Sequence, residues 1–183
     1  MKLKLLAASL CAAALWTGTA FAAHGPTMVG GANMLPERNI IENAVNSGDH
    51  ATLVAAVQAA DLVNVLQGEG PFTVFAPVDA AFAKLPEGTV DTLLMPENQE
   101  QLQTVLTYHV VPGNLTRDVL LEQVMENDGT VAFKTVQGGH LTVMRNGNNL
   151  MVMDAQGNSA NITVVDVAQS NGVIHVIDSV LLP

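Results

Sequence analysis

The chain has 183 residues, with 17 acidic against 7 basic side chains, a formal charge of −10 and a single cysteine. Acidity of that degree repels phosphate backbones and anionic lipid headgroups, which argues against nucleic-acid and membrane-surface roles. One cysteine can form no internal disulfide, so the core alone must hold the fold, for which about 160 residues suffice.

Lys2 and Lys4 precede an apolar run from Leu5 to Trp16, and Ala20-Phe21-Ala22 follows as a small-residue cleavage site. This pattern predicts a secretory leader over residues 1–22 and an exported chain, secreted or periplasmic. Cleavage would remove Cys11, Trp16 and both lysines, taking the charge from −10 to −12. Residues 23–36 hold three glycines and two prolines without apolar periodicity and are expected as a flexible lead-in to one domain over 37–183.

Pro36 is expected in the first turn of a helix that buries Ile40, Ile41, Ala44 and Val45 and ends at Gly48. Asp49 is the expected cap of a second helix, with Leu53, Val54, Val57 and Ala60 on one stripe. Phe72, Thr73, Val74 and Phe75 form a β-prone run between Gly70-Pro71 and Ala76-Pro77, hence a core strand. Asp79 has the chemistry to cap the helix that follows it, with Phe82 and Leu85 on one face and Pro86 as its stop. After Pro96 a longer helix places Leu102, Val105, Leu106 and His109 at i, i+3, i+4 and i+7, and its end, Leu106 to Val111, is open to a turn into strand. From residue 130 the period becomes strand-like, at 131–136, 141–144, 150–153, 162–167 and 173–182. Gly138-Gly139, Asn146-Gly147 and Gly157-Asn158 supply hairpin turns, so neighbouring strands should pair antiparallel. The class is α+β, with helices mainly in the first half.

"FTVFAPVDAAFAKLP" (72–86), "LTYHVVPG" (106–113) and "NGVIHVIDSVLLP" (171–183) resemble the signature segments of the fasciclin (FAS1) domain, and "GTVDTLLMPEN" resembles its bacterial single-domain form. The resemblance implies a β-sandwich wedge with helices packed around it, and adhesion or extracellular-matrix contact in place of catalysis. By position, a Tyr-His pair linked to receptor binding in some animal members falls on Tyr108 and His109. An Asp-Ile receptor motif falls on Asp166 and Val167, with the second residue departing from the pattern.

No G-x-S-x-G, H-E-x-x-H or G-x-x-x-x-G-K occurs, and the reading is of a binding module, not an enzyme. No cofactor is expected. His175 and Asp178 resemble half a catalytic dyad, but residues three apart in a strand face opposite ways, so His175 is expected as a hydrogen-bonded core histidine. Tyr108 and His109, read as adjacent strand residues, should likewise face apart, with one anchored inside. The alternative function is a periplasmic binding protein for a small ligand or a metal such as copper. For copper, His24 behind a new N-terminus, with Met28 and Met34, offers nitrogen and soft sulfur ligands. The expected partner is a cell-surface or matrix component, with self-association as a means to multivalency. Truncating Phe72, Phe75 or Ile177 should be costly and Asp166→Ala cheap.

Overall fold

The structure, a computed structural model, describes residues 25–183; the expected leader and His24 lie outside the described residues. Strands β1 (Thr27–Val29) and β2 (Ala32–Met34) form a hairpin in the register Thr27↔Met34. This corrects the expectation of a flexible lead-in. Val29 and Met34 enter the core, and Gly30, at φ +58, makes the turn while its carbonyl accepts from the Gly48 amide at 3.1 Å. The segment is too short and glycine-rich to show a period, so only its burial reveals it.

Helix α1 (Ile40–Asn46) starts later than Pro36, because Asn39 and Glu42 make a reciprocal capping box that satisfies two otherwise free amides. Ile40, Ile41 and Ala44 are buried as expected, but Val45 is 57% exposed and Asn43 takes the inward position. Asn43 answers its desolvation by donating to the Leu35 carbonyl and Gln169 Oε1 and accepting from the Leu35 amide. Helix α2 (Ala51–Ala59) buries Leu53, Ala56 and Val57. Its side-chain cap is not Asp49. Asp79, 27 residues downstream, accepts from the Thr52 amide at 2.9 Å, so this carboxylate caps α2 and not the helix it begins. The helical half continues with α3 (Val63–Leu66), α4 (Asp79–Phe82), α5 (Thr89–Leu93) and α6 (Gln99–Tyr108), the last entered through a 3-10 turn at Pro96–Asn98.

The remaining strands are β3 (Phe72–Pro77), β4 (Val110–Pro112), β5 (Thr130–Lys134), β6 (His140–Asn146), β7 (Asn149–Met153), β8 (Ser159–Gln169) and β9 (Gly172–Ile177). They form one sheet in the order β4-β3-β9-β8-β7-β6-β5, antiparallel except where β3 runs parallel to β9, with Phe75 opposite His175. The second half of the chain meanders as expected, although β9 stops at Ile177 and not at residue 182. The eleven-residue β8 pairs with β7 at its start and β9 at its end, with register shifts at Ile162/Val164 and Val164/Val167. Such irregularities bend a sheet. The bend folds the sheet into a wedge whose ends meet, where the Val136 amide donates to the Val110 carbonyl at 2.8 Å. Helix α7 (Arg117–Glu126), which no sequence expectation placed, lays Leu120 and Val124 at i and i+4 into the interior of the fold.

Two apolar clusters result. Val74, Ala76, Ile174 and Val176 face the helices. Phe75 and Ile177 point into the folded sheet with Leu120, Leu141, Val143 and Val152. Both faces of β3 and β9 are therefore buried, which is why these strands read as continuous apolar runs without alternation. Phe75 is fully buried, so Phe75→Ala should cost about 3–5 kcal/mol, whereas Val45→Ala should stay within about 0.5 kcal/mol. Urea unfolding of the two variants checks this assignment, and equal midpoints would contradict it.

Candidate functional site

Tyr108 is the last residue of α6 and His109 its C-cap, so the pair does not lie in a strand. On a helix end successive residues are not held to opposite faces, and both side chains turn inward, at 1% and 3% exposure. This corrects the expectation that the two face apart with one anchored inside. Tyr108 Oη donates to the His140 carbonyl at 2.7 Å and accepts from the Ala155 amide at 2.9 Å, tying α6 to the start of β6 and to the β7–β8 turn. His109 Nδ1 lies 2.8 Å from the Val105 carbonyl and therefore carries the proton; Nε2 accepts from the Leu181 amide at 3.0 Å. Burial is the main cause that lowers the His109 pKa to about 4, against smaller opposing effects of the Val105 carbonyl and Asp154. Asp154, itself buried, accepts from the Leu182 amide, so the last residues are fastened at two adjacent points.

Asp166 belongs to a different assembly. It sits at φ +55, where Asp is tolerated better than most residues. Its Oδ1 accepts from the Arg117 amide at 2.6 Å, capping α7 from a distant strand. Its own amide donates to His175 Nδ1 at 3.4 Å, and His175 Nε2 donates to the Leu115 carbonyl at 2.7 Å. His175 is fully buried and stacks on Phe75 with ring centroids 5.7 Å apart; burial is the leading cause that pushes its pKa down. Thr73 completes the group, donating to the Gly113 carbonyl and accepting from the Leu115 amide. Asp178 turns away, to the Asn161 amide, Asn161 Nδ2, Ser179 Oγ and Lys84 Nζ at 3.7 Å. Burial raises its pKa, but these hydrogen bonds and the lysine outweigh that and hold it below the usual carboxylate value.

Met28 and Met34 do not converge. In the β1–β2 hairpin Met28 is 69% exposed while Met34 is in the core, so the two sulfurs lie on opposite faces. Among the described residues no group of three or more His, Cys, Asp or Glu side chains is placed to hold a metal ion. The buried His50, which sequence reasoning passed over, has Nδ1 at 2.8 Å from Ser47 Oγ, and burial pushes its pKa down as well. Asn171 was also missed. It accepts from the Ile40 amide and donates to the carbonyls of Leu66 and Gly68, gathering α1, α3 and the β8–β9 turn, and only its place before Gly172 hinted at a turn. Tyr108, His109, His175 and Asn171 thus each fasten backbone to backbone, whereas His50 bonds only to a side chain and its Nε2 has no partner among the described residues.

The fasciclin domain profile matches residues 48–183. The chain belongs to the fasciclin domain family. It is similar to Protein sll1483 of Synechocystis, 49% identical over 79% of this chain and 73% of that one. It is also similar to the cell surface glycolipoprotein MPB83 of Mycobacterium bovis, 34% identical over 89% of this chain and 69% of that one. Among solved structures it resembles a FAS1 domain pair from the insect cell adhesion molecule fasciclin I, with a TM-score of 0.72 at 20% identity, covering 81% of this chain and 52% of that one. This fasciclin-domain protein thus spans about half of that two-domain chain, and the likeness is one of fold. The hairpin and α1 precede the family match.

Two expectations follow from this geometry. Asp166→Ala removes an α7 cap and places a Cβ-bearing residue without a local hydrogen bond at positive φ, so it should cost about 2–3 kcal/mol, with Asp166→Asn losing less. That reverses the cheap substitution expected from sequence, and chemical denaturation of both variants measures it. His109 is neutral when folded but titrates near 6.5 when unfolded, so its contribution is complete above pH 6.5 and is lost as the pH falls toward 4. The loss from this one group is about 3 kcal/mol by pH 4. Stability measured across that range should fall with decreasing pH, and His109→Gln should flatten the slope.

Proposed function

We propose that this fasciclin-domain chain is an exported binding module that mediates cell adhesion or contact with extracellular matrix material. The observation that carries the reading is the fold it shares with a domain pair of a cell adhesion molecule. Its likeness to a cell surface glycolipoprotein and the leader-like residues 1–22 support export to the periplasm or beyond. No helix among the described residues is long and apolar enough to cross a membrane. The histidines best suited to acid–base chemistry are buried and bonded to backbone, which supports binding over catalysis.

Tyr108, His109 and Asp166 act in this proposal beneath the contact surface. They hold the Ala155 turn, the Leu181 segment and the start of α7 in place, so that a rigid exterior meets the partner. The contact would bury about 800 Å² per partner or less, strengthened when many copies act together. A small-ligand carrier needs a pocket of about 300–1,000 Å³. The apolar cavities between helices and sheet, lined by residues such as Leu102, Leu106 and Leu53, are only about 20–30 Å³.

Labelled protein comprising residues 23–183 should bind intact producer cells or their extracted matrix saturably, and unlabelled protein should compete it away. Binding no greater than that of an unrelated acidic protein would overturn the proposal. Tyr108→Phe, which loses two hydrogen bonds, should cost about 1–3 kcal/mol of stability while leaving the binding constant of the folded fraction within a few-fold.

A further inference from the structure

The chain contains two Asn-Gly dipeptides, Asn146-Gly147 and Asn171-Gly172, which share the following glycine but differ in the hydrogen bonds of the amide and in the room at that glycine. Asn146 ends β6 at an exposed hairpin tip, where residues 145–149 are all solvent-exposed. Among the described residues its amide nitrogen donates only to the Met151 sulfur, at 2.9 Å, and a thioether is a weak acceptor. Gly147 has φ +62 and open space where a Cβ would stand, and its amide has no backbone partner among the described residues. The pair Asn146↔Asn149 is the last rung of its hairpin, the part of a ladder that opens most readily. Asn171, in contrast, uses its amide in three hydrogen bonds. Gly172 is closed in, since a Cβ there would fall 1.9 Å from the Phe72 carbonyl oxygen. The Asp128-Gly129 dipeptide is also restrained, through the Gly129 amide bonded to the Val124 carbonyl at 2.8 Å.

We propose that Asn146 is a site of spontaneous covalent modification, deamidation through a succinimide, and that Asn171 is protected by the fold. The Gly147 backbone nitrogen gives up its proton and attacks Asn146 Cγ. A C–N bond forms, the Cγ–Nδ2 bond breaks, and the side-chain nitrogen leaves as ammonia. Water then opens the ring at either carbonyl, producing aspartate or isoaspartate, so the balance is one water consumed and one ammonia released with no change of oxidation state. The product adds a negative charge beside Arg145, whose Nε donates to the Gly147 carbonyl at 2.7 Å. Isoaspartate lengthens the backbone at the outermost rung alone, and the rung Val143↔Val152, which is in the core, keeps its register. The modification therefore alters the hairpin tip while sparing the fold.

The test is incubation of the folded chain at mildly alkaline pH, followed by peptide mapping and labelling with an isoaspartyl methyltransferase. Aspartate and isoaspartate should accumulate at residue 146 while residue 171 stays amidated, and in urea the two sites should react at similar rates. Asn146→Gln should abolish the label at this position while keeping an amide side chain and Gly147, and Gly147→Ala should slow it. Conversion of Asn171 as fast as Asn146 in the folded chain, or no conversion at Asn146 under conditions where both sites react in urea, would overturn the proposal.

Discussion

Everything else in this fold is arranged around the parallel pairing of β3 with β9, two segments separated by about a hundred residues of chain. The contact is intimate at its entrance. A Cβ on Gly172 would meet the Phe72 carbonyl at 1.9 Å and one on Gly70 the Asn171 carbonyl at 2.0 Å, so only glycine lets the two backbones come together there. Once paired, the strands present Val74, Ala76, Ile174 and Val176 to the helices and Phe75 and Ile177 to the folded sheet. Removing the pairing would leave the two apolar clusters without a common wall.

Burying both faces of a strand pair forces the surrounding loops to run close to the interior, where their amides and carbonyls lose water. A small set of side chains answers that demand. Asp79 caps α2, Asp166 caps α7, and Tyr108, His109, His175 and Asn171 each bridge backbone groups from separate elements. The penalty for an unpaired buried backbone group exceeds the net gain from an average hydrogen bond, so these positions matter more to the fold than their number suggests. The residues whose chemistry looks functional in a linear sequence are thus those that the scaffold uses internally. The Tyr108-His109 pair, which the resemblance linked to receptor binding, is buried here and bonded to backbone.

The exterior is consequently acidic and chemically plain. Exposed apolar side chains such as Met28 on β1, Met95 in the loop after α5 and Met125 on α7 are far apart in sequence, and one ion pair, Lys84 with Asp178, joins described residues.

Sequence alone determined the class, the strand meander with its glycine turns, the core character of Phe75 and Ile177, and the family resemblance carried by three segments. These are local: periodicity, turn chemistry and continuous apolar runs express themselves within a dozen residues. Tertiary structure decided what depends on distant partners. Asp79 and Asp166 were legible as polar residues, but whose amides they cap is settled by chain brought from 27 and 49 residues away. Asn43 reads as surface until the Leu35 and Gln169 groups are placed beside it, and Val45 reads as core until α1 is rotated to bury Asn43 instead. The hairpin over residues 27–34 has only Val29 and Met34 in the core, too few to make a pattern, and in the helix over 117–126 it is packing that separates the buried Leu120 and Val124 from the exposed Met125. The two Asn-Gly dipeptides are identical as text; packing alone makes one a reactive tip and the other a locked joint.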